Sequence, residues 1–192
     1  MGKDAHVAQR MRSHSPWIIR PASYEDLEPI QDVERSAGQR FAGIGMAEIA
    51  ADPPPRLSDL QGSCDAGLAW VAAEAGSPLV AYLVAEPVDG GLHIEQVSVH
   101  PDYARRGIGR SLMEQAAVEA VSRGLRSLTL TTFAEVPWNA PYYATCGFSI
   151  LAEREWTQGL RAIRDRESSL GLDRWPRVCM RRELLLDSPP IP

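Results

Sequence analysis

The stretch "VSVHPDYARRGIGRSLMEQAAVEA", Val97–Ala120, changes character twice. Val97, Ser98 and Val99 close an apolar, strand-like run that begins at Leu92. Pro101 then opens a turn that carries two arginines and two glycines. From there Leu112, Met113, Ala116, Ala117, Ala120 and Val121 fall on one face of a helix. Glycine is a poor helix former. Gly107 and Gly109 at the mouth of this helix therefore indicate positive φ or the close approach of another group. The first amides of a helix have no internal partner and point outward from its positive end. A strand, a glycine-containing loop and a helix N-terminus together make an anion cradle. Arg105, Arg106, Gly107, Ile108, Gly109 and Arg110 would wrap a phosphate or pyrophosphate, held mainly by main-chain N–H groups. Taken alone, "GIG" also suits a tight strand-to-helix turn with solvated arginines. Leu112 stands where a dinucleotide-binding fingerprint needs glycine or alanine, and no GK[ST] follows to make a P-loop.

Working outward, Gly124 can close the helix in the left-handed conformation, and "SLTLTTF" reads as a strand. A strand, crossover helix and strand imply a parallel pair. Upstream, "GLAWVAAE", "SPLVAYLVAEP" and "LHIEQVSVHP" are separated by turn signals and predict a three-stranded antiparallel meander over Gly67 to His100. "WIIRPAS" is a short strand. Ser23 is the N-cap of a first helix, with Asp26 in the reciprocal capping position and Leu27, Ile30 and Val33 at helical spacing. "AGIGMAEIA" suggests a second short helix, and "DPPPRLSD" reads as loop. Downstream, "PWNAPYYATCGF" contains a short helix, and "FSILAEREW" and "RVCMRRELLL" read as two late strands flanking a polar insertion at 157–176. The fold class is mixed α/β: an antiparallel N-terminal half joined to a β-α-β crossover, with helices on both faces of one sheet. Residues 17–186 form one domain, preceded by a flexible leader at 1–16 and followed by a tail at 187–192.

The chain has 192 residues and a net charge of −5, which argues against a nucleic-acid partner. Its three cysteines include no CxxC pair, so neither a disulfide framework nor a metal site is expected. No apolar run approaches the roughly 20 residues needed to span a membrane. A cytoplasmic protein without membrane contact is the expectation.

The stretch "VSVHPDYARRGIGRSLM" resembles the acyl-CoA-binding motif of the GNAT (Gcn5-related N-acetyltransferase) superfamily, Q/R-x-x-G-x-G/A behind an apolar strand and "HP". "WNAPYYATCGF" looks like the family's downstream segment, in which an asparagine precedes an aromatic pair and a Gly-Phe. One departure is visible, because the Gln/Arg position of the motif falls on Ala104. The resemblance spans roughly Trp17 to Leu185. It implies an acetyltransferase that uses acetyl-CoA as co-substrate. Val97, Ser98 and Val99 would pair their backbone with the pantetheine arm. The loop from Arg105 to Arg110 would hold the pyrophosphate. Asn139 would bond the cofactor near its thioester, its alternative being a plain helix N-cap.

Acetyl transfer to an amine needs a base for the amine, a polarised carbonyl and a proton for the leaving thiolate. On a regular strand His93, Glu95, Val97 and Val99 share one face. Either His93, with an unperturbed pKa of about 6.5, or Glu95, raised by burial or acting through water, is a candidate base. Glu95 is preferred because it lies closer to the cofactor segment. Tyr143 takes the place of the family's general-acid tyrosine. A main-chain amide of Val97–Val99 would polarise the carbonyl. The resemblance implies that the acceptor groove lies between the "SAGQRFAGIGMAEIA" region and the 157–176 insertion, which would act as a lid or as a homodimer contact. The expected acceptor is a small-molecule primary amine. The alternatives are a protein lysine or N-terminal acetyltransferase, and a non-catalytic acyl-CoA-binding regulator.

Overall fold

Seven strands form one mixed sheet in the computed structural model, which describes residues 17–74 and 76–185. The expected leader at 1–16 and tail at 187–192 lie outside the described residues. The strands are β1 (Trp17–Pro21), β2 (Ala69–Glu74), β3 (Leu79–Val88), β4 (Gly91–Val99), β5 (Ser127–Phe133), β6 (Ser149–Ile150) and β7 (Arg177–Glu183), in the spatial order β1-β2-β3-β4-β5-β7-β6. All neighbours are antiparallel except β4 and β5, which run parallel across the crossover.

The helices are α1 (Leu27–Gly38), α2 (Ala47–Ala50), α3 (Leu57–Asp65), α4 (Ile108–Ser122), α5 (Ala140–Thr145) and α6 (Gln158–Ser169). The apolar stripe of α4, with Leu112, Met113, Ala116 and Ala120 buried, packs on one face of the sheet against Trp70, Leu83, Leu92 and Ile94. On the other face, Ile30 and Val33 of α1 and Leu60 of α3 meet Val71, Tyr82 and Val84. The two faces are thus covered as the two apolar periodicities require.

The start of α1 rests on one carboxylate. Asp26 is buried and accepts from the Ser23 N–H at 2.8 Å, the Ser23 hydroxyl at 2.9 Å and both Arg20 terminal nitrogens at 2.6 and 2.7 Å. The Arg20 guanidinium and the two Ser23 donors hold its pKa below the usual carboxylate value, against the opposing effect of burial. A depressed carboxyl pKa contributes stability that is complete above the unfolded value and lost as pH falls through the folded one. Asp26→Ala is expected to cost about 1–3 kcal/mol near neutral pH. In urea titrations the gap from wild type should shrink in acid, whereas a gap independent of pH would remove this account.

Two expectations are corrected. "DPPPRLSD" is not all loop, because α3 begins at Leu57 directly after an extended Arg56. The proline run ends the loop abruptly, and one buried residue, Leu60, anchors a helix with little apolar periodicity. "FSILAEREW" supplies only the two-residue β6, after which a 3-10 turn at Glu153–Glu155 leaves the sheet. Within the insertion, Gln158–Ser169 is a full helix, docked where the Gly159 N–H donates to Asp89 Oδ2 at 2.6 Å. A Cβ on residue 159 would stand 2.5 Å from Val88, so the docking requires glycine there.

Candidate active site

The parallel pairing of β4 with β5 is short. It runs only from Leu92–Leu128 to Ile94–Leu130, although β4 continues to Val99 and β5 to Phe133. Beyond Ile94 the two strands diverge. Residues 96–99 of β4 keep β3 on one side and, among the described residues, have no strand partner on the other. The sheet therefore carries an internal edge, able to accept an extended chain as an added strand. A cleft of about 750 Å³ occupies the gap, and Val97, Ser98, Val99, Asn139 and Tyr143 are in its wall.

A bulge sits at the point of divergence. Ala85 pairs with Ile94 and Val84 pairs with Gln96, leaving Glu95 as the extra residue. The shift overturns the expectation that His93, Glu95, Val97 and Val99 share one face. Leu92, Ile94, Val97 and Val99 all pack toward α4, so the alternation skips a step between 94 and 97. His93 falls on the other side, away from the cleft wall. It is buried, its Nδ1 lies 3.0 Å from Thr129 Oγ1, and burial lowers its pKa to about 4. Glu95, in contrast, lines the cleft. Its carboxyl is accessible from the cleft yet hemmed in by neighbouring elements. That desolvation, followed by the negative charge of Glu86, raises its pKa above the ordinary carboxylate value.

At the head of α4, Gly107 is the N-cap with φ 82° and Arg105 is left-handed with φ 62°. This double reversal turns the chain from β4 into the helix, and α4's first N–H groups lack intrahelical acceptors. Gly109 is buried, and a Cβ there would lie 3.1 Å from the Tyr142 hydroxyl and 3.6 Å from Val99. The arginines divide their work. Arg105 lines the cleft without a hydrogen-bond partner among the described residues. Arg110 also lines it, but donates to the Thr145 carbonyl at 2.6 Å. Arg106 does not reach the cleft. It donates to the Asp102 carbonyl at 3.0 Å and lies over the Tyr103 ring, so its side chain serves the turn itself.

Asn139 stands at the start of α5, yet its side chain makes no capping bond. Its amide nitrogen donates to Thr132 Oγ1 at 2.7 Å, while its buried Oδ1 has no partner among the described residues. Buried acceptors are rarely left unpaired, so this oxygen suits the N–H of a bound ligand. Tyr143 is 9% exposed and packs against Phe148 and Tyr142. Burial, with Tyr142 next in effect, holds its pKa well above the ordinary phenol value, so it stays a donor.

A family model described as "Acetyltransferase (GNAT) family" matches residues 34–148. The chain belongs to this acetyltransferase family. Solved structures of similar fold include the following three. The PaiA N-acetyltransferase of Thermoplasma acidophilum in complex with coenzyme A is 16% identical, with a TM-score of 0.62 over 87% of this chain and 98% of that one. The ribosomal-protein-S18-alanine N-acetyltransferase of Escherichia coli is 17% identical, with a TM-score of 0.60 over 92% and 99%. The N-acetylglutamate synthase of Neisseria gonorrhoeae, in complex with coenzyme A and N-acetyl-glutamate, is 15% identical, with a TM-score of 0.63 over 88% of this chain and 35% of that one.

Several wall residues of this acetyltransferase were not singled out from sequence. Glu34, on α1, accepts from Tyr82 at 2.8 Å, Ser98 at 2.6 Å and Gln96 at 3.0 and 3.2 Å. Ser98 thus turns its hydroxyl to α1, leaving only its backbone to the cleft. The signal for Glu34 was present in the pattern: a carboxylate next to Val33, on the stripe that buries Ile30. Arg40, Phe41, Trp138 and Arg177 also line the cleft. They come from three separate parts of the chain and carry no common motif. Among the described residues, no group of three or more His, Cys, Asp or Glu is placed to hold a metal ion. No helix there is long and apolar enough to cross a membrane.

Proposed function

We propose that this acetyltransferase takes acetyl-CoA as donor and moves the acetyl group to the primary amine of a small molecule by direct attack on the thioester. The observation that carries this reading is the divergence of β4 and β5 beyond Ile94, which leaves a free strand edge running from the α4 N-terminus to Tyr143. The first amides of α4, with Arg105 and Arg110 beside them, suit a diphosphate. The β4 backbone at 97–99 suits the amide groups of pantetheine, and the unpaired Asn139 Oδ1 suits a pantetheine N–H.

In the transfer, Glu95 removes the proton of the attacking ammonium, directly or through one water. Main-chain N–H groups of β4 at 97–99 stabilise the charge that develops on the carbonyl oxygen. As the carbon–nitrogen bond forms and the carbon–sulfur bond breaks, the Tyr143 hydroxyl donates its proton to the sulfur, and the second proton leaving the nitrogen passes through water to restore the phenol while Glu95 returns its own to solvent. The products are the amide and the free thiol. His93, buried and kept neutral outside the cleft, has no part in this step.

A small acceptor is supported by what packs beside the cleft. Met46, Phe41 and Ile49 from the α1–α2 side share one apolar cluster with Phe133, Trp138 and Trp175. The Arg174–Glu48 ion pair joins the insertion to α2 beside that cluster. A peptide acceptor needs an open groove, and ties between the insertion and the α1–α2 side stand against one. The absence of a candidate membrane span among the described residues is compatible with a cytoplasmic enzyme.

The test is thiol release from acetyl-CoA with a panel of polyamines, amino acids, arylalkylamines, aminoglycosides and peptides. Turnover confined to small amines is expected, and turnover with peptides alone would overturn the small-acceptor reading. Gly109→Val tests the diphosphate grip, because its side chain would press on the Tyr142 hydroxyl and Val99 and displace the first turn of α4. Coenzyme A affinity in calorimetry is expected to fall by about tenfold or more, the cost of disrupting charge-assisted bonds, with circular dichroism unchanged. Unchanged affinity would count against the assignment.

A further inference from the structure

A row of stacked groups crosses the acceptor end of the cleft. The Arg40 guanidinium lies 4.2 Å over the Trp138 ring, Trp138 meets Phe41 edge-on at 5.6 Å, Phe41 meets Phe133 at 5.7 Å, and the Arg177 guanidinium lies 4.6 Å over Phe133. The row therefore carries a guanidinium at each end, and all five residues line the cleft.

The two cations differ in how far the protein uses them. Arg40 makes no hydrogen bond among the described residues and is held only by its stacking. Arg177 binds Glu167 through Nε at 3.2 Å and Nη2 at 2.7 Å, and Nη2 also reaches Thr131 at 3.3 Å. Glu167 also pairs with Arg164, which Asp173 holds in turn, so the charges of that network balance and Arg40 is the cation left to a ligand. The other arginines of the wall have different employment: Arg35 bonds Asp32 and Gln31, Arg110 bonds Thr145, and Arg105 sits at the α4 turn. A stacked guanidinium leaves its N–H edge free, and that planar fork matches a carboxylate.

The β4 side of the same cleft is acidic. Glu34 Oε2 accepts from Tyr82, Gln96 and Ser98, whereas Oε1 accepts only from Gln96, which leaves it room for a further donor. Glu95 stands on the neighbouring bulge. Both carboxylates and Arg40 line the same cleft, which therefore offers an ammonium an acidic wall and a carboxylate an unpaired guanidinium.

We propose that the acceptor is zwitterionic, a small amine that also bears a carboxylate, with Arg40 as the residue that selects the carboxylate. The proposal rests on the acetyltransferase reading above and narrows it. A polyamine would bring a second cation against the Arg40 guanidinium, and a peptide N-terminus would offer a neutral amide in place of the carboxylate. Both mismatches leave a desolvated charge unpaired.

The experiment compares kcat/KM for free amino acids, their C-terminal amides and linear diamines, in wild type, Arg40→Gln and Arg40→Lys. Arg40 is the position of choice because no hydrogen bond of the fold depends on it among the described residues. Wild type is expected to prefer the free acid over its amide by about tenfold to a hundredfold, as for a hydrogen bond between charged groups. Arg40→Gln should reduce that preference to about threefold or less, mainly through KM, and Arg40→Lys should retain part of it. In calorimetry, the free acid should bind the coenzyme A complex about tenfold more weakly in Arg40→Gln than in wild type. If amides or diamines are used as well as free acids, or if Arg40→Gln depresses all acceptors alike, the carboxylate assignment falls while the acetyltransferase reading stands. If no amine of any kind releases thiol, that reading falls and takes the inference with it.

Discussion

Tyr143→Phe is expected to lower kcat by about a hundredfold, the typical worth of a positioned general acid, with little change in the affinity for acetyl-CoA. The substitution removes one oxygen from a ring packed against Phe148 and Tyr142, so the fold has little reason to change. What it removes is the proposed donor to the departing sulfur, a hydroxyl that burial keeps protonated. The role has a specific signature. An acetyl thioester whose thiol is a better leaving group needs less protonation, so the deficit of the variant should shrink with such a donor. A deficit that stays constant across leaving groups, or one that appears in donor affinity, would show that the ring and not its hydroxyl is what the site requires.

Glu95→Gln is expected to lower kcat/KM by a comparable factor of about a hundred, again from the loss of proton transfer, and to alter the pH profile in a defined way. Desolvation and the neighbouring Glu86 raise the pKa of Glu95. The base must be ionised to act, so activity should fall as pH drops through this elevated value and level off above it. In Glu95→Gln that acidic limb should disappear. His93→Gln should leave the position of the limb unchanged, because His93 is buried outside the cleft with Thr129 as its partner. If the limb moved with His93 and survived in Glu95→Gln, the assignment of the base would be reversed.

The difference between these two residues marks where the sequence stops being sufficient. The turn from Val97 into α4 is legible because its determinants are local: an apolar strand, glycines where left-handed backbone is needed, then a helical stripe. Asn139 and Tyr143 are legible for a related reason, since they belong to one short motif. The bulge is different. "LHIEQVSV" carries a trace of it, since the apolar alternation of Leu92 and Ile94 resumes at Val97 and Val99 only after two polar residues, but which residue is extra is decided by the pairing with β3. A shift of one residue moved His93 from the expected catalytic face to the opposite one. The acceptor wall is hidden for another reason. Arg40, Phe133, Trp138 and Arg177 are brought together by chain reversal and not by spacing. Likewise α3 shows only one buried position, Leu60, too little periodicity to separate it from the proline-rich segment before it.

The account depends on main-chain donors at the head of α4 gripping a diphosphate, with the rest of the donor lying along the open edge of β4. A crystal structure with coenzyme A tests this most directly. The expected result is density for the diphosphate within hydrogen-bond reach of amides in the 105–110 turn, the pantetheine arm between β4 and β5, an N–H on Asn139 Oδ1 and the sulfur beside Tyr143. Coenzyme A bound elsewhere while that turn stays closed on its own side chains would contradict it.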